Sequence, residues 1–298
     1  MTAERWPVRR RALVTGGTDG VGKEVARGLA RGGCAVVIVG RDVDKGRRAE
    51  EELRESAGHA EVRFLPGDLS LVRGAIEVAD ELVRSGTTLR FLVHSAGIVR
   101  GRYELTADGI ESNFAVNYLS RFVLTTRLLP LLQAAGRPGA AARILIVGGA
   151  AQNGTIYFEN TNLRRRFSTL RAVGQFCAAN DVFTLELARR LAVERPESPV
   201  TIANLKLGVV KTNIRREFPI WMKWLVPLIM DPLLGQTPVQ AAAPALELLL
   251  DRTREGTTGA LFLKVRQFKQ VTANGRMVDP ELGRRLWALS ERLVQGAQ

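Results

Sequence analysis

Between Lys45 and Lys206 the chain has no lysine, and beyond Tyr157 it has no tyrosine. Those gaps exclude any chemistry that draws an ammonium from positions 46–205 or a phenol from beyond position 157. Cysteine is nearly as scarce. Cys34, at the start of an apolar strand, and Cys177, in a helical stretch, are the only two. They exclude a disulfide framework and offer no metal-ligand spacing, so no metal is expected and a reducing, cytoplasmic compartment fits. Internal repeats, low-complexity tracts and a bilayer-spanning apolar run are also missing. Met1 to Arg10 is polar and basic with no apolar stretch, so no secretory signal is expected there.

Charge of one sign is abundant: the formal net charge is +13, carried mostly by arginine. The arginines are scattered in pairs and triplets, at 47–48, 164–166, 189–190 and 284–285. Aromatic residues do not interleave with them as a base-stacking surface requires, so nucleic acid is not an expected partner. They read as solvated helix faces, with acidic small substrates left open.

What is present begins at Arg11–Thr15, a short apolar strand. A loop with glycines at 16, 20 and 22, a helical run from Val25 and a second strand, Ala35–Val39, follow. Glycines there let the backbone turn tightly against a pyrophosphate, whose charge then sits at the helix N-terminus. Strands alternating with helical stretches over 298 residues predict one α/β domain around a parallel sheet.

With these residues the chain resembles the short-chain dehydrogenase/reductase superfamily, whose TGxxxGxG loop corresponds to Thr15–Gly22, and is most similar to its retinol-dehydrogenase-like branch. The resemblance runs from about Arg11 to about Lys264. Asp68-Leu69, His94–Gly97 in place of NNAG, Phe114–Leu119 with Asn117, Arg143–Val147, and Gly208–Thr212 in place of PGxxxT continue it in order. It implies a Rossmann-type doubly wound sheet in a single domain over residues 1–298. The nucleotide-binding half would span about 11–150 and an apolar substrate-covering helical segment about 213–236. By the same resemblance Gly16, Thr18, Gly20, Val21 and Gly22 would hold the phosphates. Asp68 would meet the adenine amino group and Leu69 would offer its amide there. Ala96 and Gly97 would pass the ribose, and Thr212 would meet the nicotinamide carboxamide, although Leu207 stands where the family has proline.

Cofactor choice is read where the second strand ends, Val39-Gly40-Arg41. A carboxylate there selects NAD, whereas glycine followed by arginine suits a 2′-phosphate, so NADP(H) is expected. Asp42 reads as the N-cap of the next helix.

The family's chemistry uses a serine, a tyrosine and, four residues after the tyrosine on the same helix face, a lysine. Here the matching positions hold Gly149, Val173 and Cys177. The standard proton-transfer mechanism is therefore not encoded. Asn117, which in the family helps hold the lysine through water, is retained. Tyr157 and Lys206 are candidate substitutes beside their plainer readings as loop packing and a solvated strand-end charge. His94, Asn153 and Gln175 are lesser polar candidates, His94 reading as a satisfied core residue. Cys177 reads as an inert buried thiol.

The run Phe218–Met230, with Trp221 and Trp224, falls in the substrate-covering segment and implies an apolar ligand of some size; the competing reading is an interfacial membrane anchor. Apolar residues Phe122, Leu128, Phe183 and Leu187 are expected to face outward in a homodimer or homotetramer. Three function classes stay open. One is a secondary-metabolism enzyme with a substitute active site, acting as a reductase or in a non-redox cyclisation, dehydration or isomerisation. The others are a non-catalytic cofactor-binding sensor or partner subunit, and an ordinary NADPH-dependent carbonyl reductase.

Overall fold

The computed structural model describes residues 10–58, 60–194, 199–211 and 235–297. Its strands are β1 (Arg11–Thr15), β2 (Ala35–Gly40), β3 (Val62–Pro66), β4 (Phe91–His94), β5 (Ala142–Gly149), β6 (Val200–Leu207), β7 (Ala260–Lys264) and β8 (Phe268–Val271). They form one sheet of order β3-β2-β1-β4-β5-β6-β7-β8. Every pairing is parallel except that of β7 with β8. The inner strands are near-continuous apolar runs because helices cover both faces. Side chains alternate between two cores accordingly. Leu13, Val37, Leu92 and Ile144 face one core, and Ala12, Val14, Ile38, Val93 and Leu145 face the other.

The helices are α1 (Gly20–Arg31), α2 (Val43–Ser56), α3 (Val72–Arg84), the short α4 (Ser112–Phe114), α5 (Ser120–Ala135), α6 (Thr169–Glu194), α7 (Pro238–Leu250) and α8 (Pro280–Gly296). A π-helical turn, Ala115–Leu119, joins α4 to α5 and carries Asn117. Strand order reverses between β1 and β4, and the crevice beyond their carboxyl ends is where such folds take ligands.

α8 lies across α5 and α6. Trp287 packs on Phe122 and Phe183, with ring centroids 5.0 and 6.1 Å away, and the Arg190 guanidinium lies 4.0 Å from the Trp287 centroid. The Tyr118 hydroxyl meets Ser290 Oγ at 2.7 Å. Phe122, Leu128, Phe183 and Leu187 all belong to this core and are at most 4% exposed. This corrects the expectation that they face outward: the chain's own packing covers them.

Candidate functional site

At the β1–β4 crevice, Gly16 adopts the left-handed region (φ +67°), and a Cβ there would lie 2.8 Å from the Ala96 Cα and N. A Cβ on Gly22 would collide with the Gly16 carbonyl oxygen. The loop from Gly16 through Gly20 to Gly22 is thus drawn against the β4 loop, leaving a backbone-lined cradle at the N-terminus of α1. Thr15 Oγ1 fixes the other wall by accepting from the Ser95 and Ala96 amides, both at 3.1 Å. Asp19 caps Gly20 N at 2.8 Å, while the next amides of the first turn, Val21 and Gly22, have no intrahelical acceptor and can serve an anion. Thr18 packs against Gly40, where a Cβ would lie 2.8 Å from its Cγ2.

Arg41, exposed just past β2, makes no ion pair with any described residue. Asp42 caps α2 by accepting from Lys45 N at 2.9 Å, as its position predicts. Lys45 Nζ in turn lies 2.6 Å from Asp19 Oδ2. Asp42 and Asp19 are therefore engaged with Lys45, and Arg41 has no ion pair among the described residues. Asp68 Oδ1 accepts from Ser70 N and Oγ at 2.9 and 2.7 Å, and Leu69 beside it is buried. Gly97 passes so close to Asn117 that a Cβ would lie 2.8 Å from Oδ1. These residues fit a dinucleotide phosphate and ribose cradle on close-approach geometry alone.

At the far end of the crevice, β5 ends on exposed Gly149, in register with Leu207. A Cβ on Gly149 would lie 3.6 Å from Cys177 Sγ on α6, and that thiol donates to the Gly149 carbonyl at 3.5 Å. Val173 stands one turn earlier, half-buried. Positions 149, 173 and 177 come together but present neither hydroxyl nor amine. Burial pushes the Cys177 thiol up to about 11, against the opposing fields of Lys206 and Arg121.

Beneath these positions lies a buried charge cluster. Lys206 Nζ on β6 is 2.6 Å from Asp181 Oδ2 on α6, and Asn204 Nδ2 donates to Asp181 Oδ1 at 2.8 Å. Burial raises the Asp181 carboxyl above its usual value, opposed by the Lys206 charge and hydrogen bond. Arg121, 3% exposed, donates from Nη2 to the carbonyls of Ala96 and Val147 at 3.0 and 3.1 Å, and from Nη1 to Asn180 Oδ1 at 3.3 Å. Burial lowers this guanidinium to about 10, so it stays charged at neutral pH. Arg121 Nε and Asn204 Oδ1 have no partner. A Cβ on Gly148 would sit 3.7 Å from Arg121 Nη1 and 4.0 Å from that Asn204 oxygen.

The short chain dehydrogenase family profile matches residues 10–158, half of the chain. Mouse polyprenol dehydrogenase is 33% identical over 286 residues, covering 96% of this chain and 84% of the relative. The chain belongs to the short-chain dehydrogenase family. Human retinol dehydrogenase 13 is 32% identical over 287 residues, covering 95% of this chain and 83% of its own. Among solved structures, an uncharacterised Mycobacterium paratuberculosis protein superposes with a TM-score of 0.75 at 27% identity, covering 97% of this chain and 94% of that one. The Pseudomonas aeruginosa RhlG/NADP complex does so with a TM-score of 0.67 at 25% identity, covering 88% and 97%.

Within this family fold the remaining candidates are held by ordinary structural bonds. The Asn117 side chain donates to the Ile98 and Asn113 carbonyls at 2.8 Å each and accepts from Ile98 N at 3.2 Å. It clamps the β4 loop, and position 177 has no ammonium for it to hold. His94 Nε2 meets Thr125 Oγ1 at 2.8 Å, and burial, then the charge of Arg121, holds the imidazole well below its usual range. Gln175 is buried and pins the β5–α6 loop, accepting from Tyr157 N at 3.0 Å and donating to the Thr161 carbonyl at 2.8 Å. The Tyr157 ring lies 5.9 Å from the Arg171 guanidinium, and Asn153 accepts from Asn274 Nδ2 at 2.8 Å. Lys206 is corrected: it is buried in an ion pair, not a solvated strand-end charge. Thr212 and Phe218–Met230 lie outside the described residues.

Arg121, Asp181 and Asn204 were not picked out by sequence. Their signal was a polar or charged residue inside an otherwise apolar element, Arg121 within Phe114–Leu132, Asp181 beside Val182-Phe183 and Asn204 in β6 with Lys206. Buried charges seldom occur singly. Among the described residues no group of three metal-ligating side chains occurs, and no helix is long and apolar enough to cross a membrane.

Proposed function

We propose that the chain is an NADP(H)-dependent oxidoreductase for an apolar alcohol or its carbonyl partner, with the family's serine, tyrosine and lysine positions occupied by Gly149, Val173 and Cys177. The observation that carries cofactor choice is Arg41, exposed at the end of β2 and without an ion pair among the described residues, with Asp42 committed to a helix cap. The NADP named in the RhlG complex agrees with it. Relatives named for polyprenol and retinol support a long isoprenoid-like substrate and a redox reaction over cyclisation, dehydration or isomerisation.

When bound, the nicotinamide supplies or accepts the hydride. The chain's own part divides in two. Its Gly16–Gly22 loop and α1 N-terminus receive the pyrophosphate, with Arg41 available to the 2′-phosphate. At the other end, exposed Gly149 leaves the substrate oxygen open to water, and Val173 offers it no proton. Solvent then exchanges the substrate's proton, more slowly than a positioned side chain would. Losing a general acid typically costs about 100- to 10,000-fold. The full chain should therefore oxidise retinol or a polyprenol with NADP⁺, or reduce the aldehyde with NADPH, slowly and with a steep rise on the alkaline side for oxidation. Generic short ketones should turn over at least as slowly. Turnover at ordinary family rates would point to a hidden acid, Tyr157 first. NADPH binding with no turnover on any apolar alcohol or aldehyde would favour the sensor or partner-subunit reading.

A further inference from the structure

Position 177 carries a neutral thiol, yet the space around it is not neutral. Among the described residues, Arg121 and Lys206 bring two buried cations to the cluster and Asp181 one carboxylate, so the described cluster carries a net positive charge in a place where charge is costly. Structural convenience does not require a guanidinium there, because a neutral amide can also donate to carbonyls. Arg121 also joins parts that must stay in register. Its Nη2 group binds the carbonyl of Ala96, whose own amide is bonded to Thr15 at the end of β1, and the carbonyl of Val147 on β5, two residues before Gly149. One guanidinium thus ties the β4 loop, itself bonded to Thr15, to β5. Three of its five N–H groups are used in these bonds, Nε is unpartnered, and Nη1 borders the empty Cβ position of Gly148 beside the equally unpartnered Asn204 oxygen.

We propose that Arg121 is a positioning residue of the reaction end and that, with Lys206, it supplies from α5 and β6 the buried positive charge that position 177 does not carry. That charge favours an electron-rich substrate oxygen over Gly149 and keeps the β4 loop aligned with it. The proposal rests on the NADP(H)-oxidoreductase reading. It also makes a lysine at 177 incompatible with the present cluster, since a third cation would then share one carboxylate.

The test uses the full chain with Arg121→Met, Lys206→Met, Cys177→Lys, and Cys177→Lys paired with each methionine variant. Melting temperature, the NADPH dissociation constant by fluorescence titration, and the pH profile of retinol oxidation are measured. Cys177→Lys alone should lower the melting temperature by roughly 10 °C, as burying an unpaired charge does. Adding Arg121→Met or Lys206→Met should restore most of it. Arg121→Met alone should weaken NADPH binding roughly tenfold, because the β4 loop at Ala96 loses its tie to β5. It should also move the pH–rate midpoint upward by about one unit, because the substrate hydroxyl loses a favourable field. If Cys177→Lys melts like wild type, the compensation idea is overturned. If Arg121→Met lowers the melting temperature but leaves NADPH affinity and the pH profile unmoved, the guanidinium is only a clasp and the positioning role is overturned. Should Arg121→Met not fold, Lys206→Met with and without Cys177→Lys reads the same compensation. Failure of wild type to bind NADPH would sink the oxidoreductase reading, while the melting-temperature compensation would still be scored separately.

Discussion

The two ends of the crevice are built from different materials. The proposed nucleotide end is made of backbone: a left-handed Gly16, a Gly22 lodged against it, amides at the start of α1 and the exposed guanidinium of Arg41, which has no ion pair among the described residues. The proposed reaction end is made of side chains from three elements, Arg121 on α5, Asp181 on α6 and Lys206 on β6, gathered under two glycines and a thiol. Backbone sites tolerate almost no substitution because the chain path itself is the binding surface. A side-chain site can move its charge from one element to another while the fold stays the same.

That contrast breaks most sharply at Gly16. Gly16→Val must adopt φ +67° and push Cβ into Ala96, which should cost about 4 kcal/mol of nucleotide binding, roughly a thousandfold. Isothermal titration with NADPH checks it, and a change below threefold would show that the cradle is not backbone-built. Leu286→Ala, in the α8 cover over α5 and α6, should cost about 3 kcal/mol in denaturant unfolding and leave NADPH affinity of the folded protein unchanged. A matched loss of affinity would show that the two ends are coupled through α8. Arg41→Ala should weaken NADPH by about 2 kcal/mol without touching NADH. Equal affinity of wild type for both cofactors would remove the 2′-phosphate argument.

The smallest effect is at Cys177. Thiolate is the reactive form, and burial lifts this thiol to about 11, so alkylation followed by peptide mass spectrometry should stay slow through neutral pH and rise only toward that value. An ordinary midpoint near about 8.5 would mean that Cys177 is solvated and that the reaction end is more open than its packing indicates.

The same contrast explains what could be read from the sequence. Arg11–Thr15, the glycine loop and Ala35–Gly40 are local patterns, and the strand-loop-helix-strand unit follows from them because each residue's role is set by neighbours in the chain. Asp42 as a helix cap and Arg41 beyond the strand follow for the same reason. Arg121, Asp181 and Lys206 are 85 residues apart end to end in the chain, and only the β4-β5-β6 order places them in one cluster. Lys206 looked like a strand-end charge because its carboxylate partner is on a different element. Phe122 and Phe183 looked like interface residues because nothing local shows that Trp287, more than a hundred residues later, returns to cover them.

The return of α8 has a consequence for mass action. A face closed by a second molecule is as secure as the concentration of that molecule, and it opens on dilution. A face closed by a tethered helix sees a partner at fixed effective concentration, so its closure is a first-order event. The packing of Trp287 on Phe122 and Phe183 should persist unchanged from micromolar stocks to nanomolar assays, and the thermal midpoint that depends on it should not drift as the protein is diluted.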